Sequence, residues 1–176
     1  MTKLEEVILV DAHDNQIGQM EKIEAHKKGL LHRAFSVFLF NDSNEMLIQQ
    51  RALTKYHSPG LWTNTCCSHP RPTESNIDAA NRRLKEEMGI QTNLKHIYTF
   101  TYRTDFENGL AEHEVDHVFV GFTNAIPKLN DQEVMDYRYI SIEKLEQELL
   151  DHPEKFTSWF KICIKHVLEK LKLESI

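Results

Sequence analysis

The segment EHEVDHVFV, from Glu112 to Val120, most constrains the fold, because its residues alternate with the period of two typical of β-strands. One face of such a strand presents three acids followed by two valines: Glu112, Glu114, Asp116, Val118 and Val120. Neighbouring carboxylates repel each other unless a cation or a proton lies between them. The segment therefore favours a strand whose carboxylates converge on an ion. The alternative is a frayed, solvated strand end with His113 and His117 on the surface.

Hydrophobic periodicity and turn signals predict a mixture of strands and helices. We predict strands at 7–10, 35–40, 45–51, 63–68, 96–103, 112–122 and 134–140, and helices at 75–89, 142–150 and 158–171. Ser75 is a candidate helix cap and Gly89 a candidate stop, and between them Ile77, Ala80 and Leu84 fall on one face. Because the elements mix without strict alternation, we predict an α/β (α+β) fold with a mixed sheet, as a single domain over residues 1–176.

Composition limits the partners and the compartment. The net charge of −6 argues against general nucleic-acid binding, and no apolar stretch is long enough to span a membrane. Of the three cysteines, Cys66 and Cys67 are adjacent, which makes a disulfide scaffold improbable and favours a reducing compartment. The N-terminal MTKLEEVILV lacks the basic start of a secretory signal. We expect a cytoplasmic protein that is a monomer or a weak homodimer.

The segment WTNTCCSHP, residues 62–70, places a thiol beside an imidazole. If the segment is extended, Cys67 and His69 share one face, and Cys66 lies on the other. Such a thiol can serve as a nucleophile, a metal ligand or a proton donor. The alternative is that both cysteines are small core residues.

Residues 68–90 resemble the Nudix box, G-x5-E-x7-R-E-U-x-E-E-x-G-U, where U is aliphatic. The matching residues are Glu74, Arg82, Leu84, Glu86, Glu87, Gly89 and Ile90. Ser68 replaces the first glycine and Arg83 replaces the glutamate after the arginine. On a helical wheel Glu87 and Arg83 lie at the margin of the apolar stripe, whereas Arg82 and Glu86 form a surface pair. Glu87 is therefore the candidate Mg²⁺ ligand, and its alternative is an ion pair with Arg83.

The Cys–His segment, the altered box, the EHEVD strand and the segment RALTKYHSPGLW resemble the type I isopentenyl-diphosphate isomerase family from about Val7 to Trp159. The resemblance implies interconversion of isopentenyl and dimethylallyl diphosphates by protonation and deprotonation. It implies that Cys67 and Glu114 are the acid–base pair and that Tyr102 assists them.

The resemblance also implies the ligands. A Zn²⁺ or Mn²⁺ ion would be held by three imidazoles and two carboxylates, His26, His32, His69, Glu112 and Glu114. Mg²⁺ on Glu87 would bridge the substrate diphosphate, which would be contacted by Lys22, Arg51, Lys55 and Arg83. Trp159 would face the hydrocarbon tail. Without the resemblance, the expected interpretation is that five of these residues are ordinary surface residues, His26, His32, Lys22, Arg51 and Lys55. Trp159 is then one apolar residue starting the last helix.

Two rival interpretations stay open at this point. The first is a Nudix hydrolase of nucleoside diphosphates, although Arg83 occupies the position of a carboxylate that such enzymes use to activate water. The second is a metal-stabilised structural or interaction module that uses the same histidines and glutamates. Neither rival accounts for Cys67 beside His69 as well as the isomerase does.

Overall fold

A computed structural model describes residues 4–174, and a nine-stranded mixed sheet is its central element. The strands are β1 (Glu6–Val10), β2 (Gln16–Glu21), β3 (His32–Phe40), β4 (Glu45–Arg51), β5 (Trp62–Thr63), β6 (Cys66–Ser68), β7 (Lys95–Asp105), β8 (Ala111–Phe122) and β9 (Val134–Ser141). The helices are α1 (Lys22–Lys28), α2 (Asn76–Met88), α3 (Ile142–Asp151) and α4 (Ser158–Glu174), with a 3-10 turn at Pro153–Lys155. The predicted α+β class with a mixed sheet is confirmed.

Strand β3 organises the sheet. It pairs in parallel with β8 and antiparallel with β1, β4 and β6. Strand β7 continues the sheet beyond β8, β2 pairs with β1, and β5 and β9 both pair with β4. The register places Glu114 between His32 of β3 and Tyr102 of β7, so three polar residues from three strands are neighbours.

Each face of the sheet packs against different helices. On one face, Phe38 and Val118 form a core with Leu145 of α3 and Phe160 of α4. On the other face, Phe35 and Phe119 pack with residues of α2. The acids of β8 lie on the same face as Val118, beyond the apolar core, where the space between the sheet and α4 opens into a cavity.

Helix α2 follows its predicted signals. The Ser75 side chain accepts the Asp78 amide at 3.2 Å, and Gly89 ends the helix in the left-handed conformation at φ 65°. A Cβ on Gly89 would lie 2.8 Å from the Lys128 Cβ, so both the conformation and the space favour glycine. Ala80 and Leu84 are buried as predicted, but Ile77 is 36% exposed because it lies in the first turn, outside the packed core.

Three local expectations need correction. Strand β2 and helix α1 were not predicted, because QIGQME and KIEAHKK show neither a clear strand nor a clear helix pattern. The segment 63–68 forms two short strands instead of one. His26 therefore lies inside a short helix that ends at Gly29. None of the helices among residues 4–174 is long and apolar enough to cross a membrane.

Candidate active site and metal centre

A cavity of about 500 Å³, including the part open to solvent, lies at the polar end of β8. Sequence-predicted site residues in its wall are Lys22, Arg51, Lys55, Cys67, His69, Arg83, Tyr102, Glu112, Glu114 and Trp159. The fold thus gathers residues from most of the chain length around one space.

Cys67 reaches the cavity because β6 pairs with β3, placing Cys67 opposite Ser36. Its neighbour Cys66 points to the other face, where its thiol lies 3.4 Å from the Glu87 carboxylate beneath α2. The expected alternation of the two cysteines is therefore present. Burial raises the pKa of the Cys67 thiol well above its ordinary value, despite the opposing effect of nearby Arg51. Cys67 is a protonated thiol at neutral pH.

Glu114 lies at the centre of a hydrogen-bonded group. Its Oε2 is 2.9 Å from His32 Nε2 and 2.6 Å from His69 Nε2, and its Oε1 accepts the Tyr102 hydroxyl at 2.5 Å. Burial alone would raise the pKa of Glu114, but His69 and His32 hold that pKa well below its ordinary value. Burial and the neighbouring carboxylates raise the pKa of Tyr102, which stays a neutral donor.

Four donors form the first candidate metal cluster. The ligand atoms of His26, His32, His69 and Glu114 all lie within 4.8 Å of one another, and all four residues are buried. His26 Nδ1 lies 2.7 Å from the Lys22 carbonyl and His32 Nδ1 lies 2.8 Å from the Leu30 carbonyl. These backbone contacts fix the rings with Nε2 pointing inward, as in metal-binding histidines.

The inward nitrogen of His26 supports a metal in this place. His26 Nε2 is buried and has no hydrogen-bond partner. Burial lowers the pKa of His26 to about 4, so the ring is neutral and can donate a lone pair. Imidazoles with a carboxylate suit Zn²⁺ or Mn²⁺, so these donors fit the predicted ion.

Glu112 lies in a second, overlapping cluster. Its ligand atom groups with those of His26 and His57, and not with the full set around Glu114. The Tyr102 hydroxyl connects the two carboxylates, since it also lies 2.5 Å from Glu112 Oε2. His57 was not a predicted site residue. The sequence showed only that it belongs to RALTKYHSPGLW, and no spacing rule links it to Glu112.

Asp116 is a second residue that the sequence analysis did not assign to the site. It lines the cavity and is 2% exposed, and its Oδ2 accepts the Ser36 hydroxyl at 2.7 Å. Burial and the charge of Glu114 raise the pKa of Asp116 well above its ordinary value. The sequence feature that could have assigned Asp116 to the site is its position on the acidic face of the EHEVD strand.

The predicted phosphate contacts all line the cavity, and each has a protein partner. Lys22 Nζ is 2.8 Å from Glu5, and Lys55 pairs with Glu133. Arg83 lies 3.3 Å from the same Glu133. Arg51 donates to the His57 carbonyl at 3.0 Å and its guanidinium carbon lies 5.1 Å from the centre of the Trp159 ring.

Glu87 contacts the cavity-lining Arg83 but is not part of the cavity wall. Its carboxylate is 3.1 Å from Arg83 and 3.3 Å from the Gln49 amide. It belongs to neither metal cluster found among residues 4–174. Arg82, another residue of the box, donates two hydrogen bonds to Glu74, at 2.7 and 2.9 Å. Its contact with Glu86, which the helical wheel predicts, is longer at 3.5 Å.

The fold matches solved Nudix proteins. A structure of DR0079 from Deinococcus radiodurans aligns with a TM-score of 0.70 at 18% identity, covering 84% of this chain and 90% of that one. A MutT protein from Methanosarcina mazei Go1 aligns with a TM-score of 0.66 at 19% identity, covering 81% and 96%. At these identities the likeness defines the fold alone. The NUDIX domain family model matches residues 30–160, so strands β3 to β9 and helix α2 are those of a Nudix domain.

Closer relatives define the family. An isopentenyl-diphosphate Delta-isomerase from Pectobacterium atrosepticum is 51% identical over 164 residues, covering 93% of this chain and 92% of the relative. Isopentenyl-diphosphate Delta-isomerase 2 from Aromatoleum aromaticum is 48% identical, covering 93% and 87%. The chain belongs to the isopentenyl-diphosphate Delta-isomerase family of the Nudix superfamily.

Proposed function

We propose that this protein interconverts isopentenyl diphosphate and dimethylallyl diphosphate, and that Cys67 and Glu114 move the two protons. The observation that carries the proposal is the pairing of a protonated thiol and an ionised carboxylate in the wall of one cavity. One group can give a proton to the hydrocarbon while the other takes one from it, and their roles exchange in the reverse reaction.

The chemistry explains why the cavity is built from buried side chains. Protonating an unactivated double bond gives a tertiary carbocation, which water would capture as an alcohol unless it is excluded. The ring of Trp159, 2% exposed, can stabilise positive charge without attacking it. Tyr102 hydrogen-bonds Glu114 and thereby holds the carboxylate in place.

The metal and phosphate sites are part of the proposal. His26, His32, His69, Glu112 and Glu114 would hold a Zn²⁺ or Mn²⁺ ion, which would orient Glu114 and shift its proton affinity. For the substrate diphosphate we propose the cavity-lining cations Lys22, Arg51, Lys55 and Arg83. Glu87 would hold the Mg²⁺ that accompanies the diphosphate, and it would exchange its present ion pair with the cavity-lining Arg83 for that ion. Anchoring by the diphosphate supplies binding energy remote from the reacting carbons.

We further infer a single catalytic domain that works in the cytoplasm as a monomer or weak homodimer, with a small diphosphate as its partner. All three cysteines are free, which suits a reducing compartment. Sedimentation velocity across a hundredfold range of protein concentration tests the assembly, and a stable higher oligomer would contradict it.

The test of the proposal is the turnover of isopentenyl diphosphate by Cys67→Ala and Glu114→Gln. We expect both variants to bind the substrate in calorimetry and to lose isomerisation. Cys163→Ala, on the core-facing side of α4, and Glu143→Gln, on the surface of α3, are matched controls that should keep activity. Near-normal turnover by either site variant overturns the assignment. Phosphate release from nucleoside diphosphates without isomerisation would instead favour a hydrolase.

A further inference from the structure

Tyr56 lines the cavity, but the proposed function gives it no role. It lies in the loop between β4 and β5, directly after Lys55. The sequence shows it only as part of RALTKYHSPGLW, and no spacing rule assigns it to a site. An aromatic side chain in a wall that carries many charged groups calls for a physical explanation.

Two ammonium groups lie over the ring of Tyr56. Lys22 Nζ is 4.8 Å from the ring centroid and Lys55 Nζ is 5.6 Å from it. Both distances are within the roughly 6 Å over which an aromatic face attracts a cation. Lys22 begins α1 and Lys55 follows β4, so one ring connects cations from two separate parts of the chain.

Each lysine pairs with a different carboxylate, but the ring is common to both. Lys22 pairs with Glu5, and Lys55 pairs with Glu133. A long lysine side chain loses rotamer freedom when a ligand immobilises it, and that loss weakens binding. A ring that attracts both ammonium groups restricts them before the ligand arrives and limits their separation. Such a pair of cations suits a ligand with two phosphoryl groups.

The ring of Tyr56 is itself held in place. It meets the rings of His57 and His26 edge-on, with centroids 4.3 and 5.3 Å away. The Tyr56 carbonyl accepts the Asn108 side-chain amide at 3.0 Å, which ties this loop to the turn between β7 and β8. A ring fixed by its neighbours can orient the ammonium groups without rearranging when a ligand binds.

We propose that Tyr56 is a positioning residue for the diphosphate, and that its aromatic face holds the ammonium groups of Lys22 and Lys55 ready for the two phosphoryl groups. The proposal rests on the phosphate site of the proposed function and adds one residue to it. Because the ring acts on the diphosphate and not on the reacting carbons, it strengthens substrate and transition-state binding equally. Its loss should therefore raise KM and leave kcat nearly unchanged.

The test compares Tyr56→Phe, which keeps the aromatic face, with Tyr56→Leu, which is apolar but has no aromatic face. The probe is inorganic pyrophosphate with excess Mg²⁺, and calorimetry on the full-length protein gives its dissociation constant. We expect Tyr56→Phe to bind within about twofold of the unmodified protein and Tyr56→Leu to bind about fivefold or more weakly. In Tyr56→Leu the KM for isopentenyl diphosphate should rise in parallel, with kcat nearly unchanged.

The controls separate the role of Tyr56 from the phosphate site itself. Tyr98→Leu, the same change on β7 and outside the cavity wall, should bind pyrophosphate like the unmodified protein. If Lys55→Ala weakens pyrophosphate binding and Tyr56→Leu does not, the role of Tyr56 is overturned and the phosphate site stands. If neither Lys22→Ala nor Lys55→Ala weakens it, the phosphate site is wrong and the proposal is wrong with it.

Two further outcomes would overturn the proposal. Equal weakening in Tyr56→Phe and Tyr56→Leu would assign the effect to the hydroxyl group and not to the aromatic face. A fall in kcat with unchanged pyrophosphate affinity in Tyr56→Leu would show that Tyr56 acts through the neighbouring His26 and not through the lysines.

Discussion

The two halves of strand β8 lie in the same sheet and face the same side, yet they do opposite physical work. Val118 and Val120 pack into the core with Phe38 and Phe160, where burial of apolar surface stabilises the fold. Glu112, Glu114 and Asp116 are just as buried, at 2–4% exposure, but they bring charge away from water. The polar half of β8 therefore lowers the stability of the fold and serves the chemistry of the site. Burial of the apolar half offsets that loss of stability.

The largest effect should come from the polar half. Glu114→Gln should lower turnover by about a thousandfold or more, because general acid–base groups contribute about 10²–10⁴. The variant should still fold, since glutamine has the same shape and can accept the Tyr102 hydrogen bond. Steady-state kinetics and circular dichroism check both statements. A fully active variant would show that the acid is not used in the reaction.

Metal removal should have the next largest effect. An ion that neutralises the polar half stabilises the folded state by about 2.7 kcal/mol at a hundred times its dissociation constant. Thermal unfolding of the unmodified protein should therefore shift upward with added Zn²⁺ and downward with a chelator. His32→Gln, which removes a buried ligand, should show a much smaller shift. Equal shifts in the two proteins would argue against binding in this cluster.

Substitutions in the apolar half of β8 should lower the stability of the fold and leave turnover nearly unchanged. Val118→Ala, at a position with 0% exposure, should lower the free energy of unfolding by about 2 kcal/mol, since it leaves a cavity in the core. Turnover per folded molecule should stay near normal. Urea unfolding together with active-site-normalised kinetics separates the two quantities. If Val118→Ala lost turnover without losing stability, the contrast between the two halves of β8 would be wrong.

The smallest effect concerns Asp116 and pH. Because the pKa of Asp116 is raised in the folded protein, its contribution to stability is full below the unfolded pKa near 3.8 and is lost as the pH rises through the folded value. Asp116→Asn cannot ionise and lacks this loss. From pH 5 to 8 the metal-free variant should therefore gain unfolding free energy relative to the unmodified metal-free protein, at no more than about 1.4 kcal/mol per pH unit.

Chemical unfolding of the chelated proteins at several pH values measures this difference. Asp131→Asn, on the exposed surface, is the matched control and should follow the unmodified protein at every pH. A constant difference between Asp116→Asn and the unmodified protein would show that Asp116 has an ordinary pKa in the folded state.

The same contrast explains what sequence reasoning could predict. The face shared by acids and valines in β8, and the capped helix α2, are local patterns of period two and 3.6, so they are visible in one sequence. Helix α1 has seven residues and no strong periodic face, so the position of His26 depended on the family resemblance.

Convergence from distant segments was not predictable in this way. Glu133 joins Lys55 and Arg83 from the turn before β9, and His57 meets Glu112 across 55 positions of the sequence. Such neighbours are set by the sheet register and by loop packing, and neither is encoded in local spacing. The register itself, with Glu114 beside His32 and Tyr102, is long-range information of the same kind.

The most direct test of the central claim follows protons from solvent into the product. Purified protein is incubated with isopentenyl diphosphate and Mg²⁺ in deuterated water, and the two isomers are analysed by NMR. With the unmodified protein we expect dimethylallyl diphosphate that contains solvent deuterium. With Glu114→Gln we expect no dimethylallyl diphosphate and no deuterium uptake. Formation of the isomer by Glu114→Gln at the unmodified rate, or no isomer from the unmodified protein, would contradict the central claim.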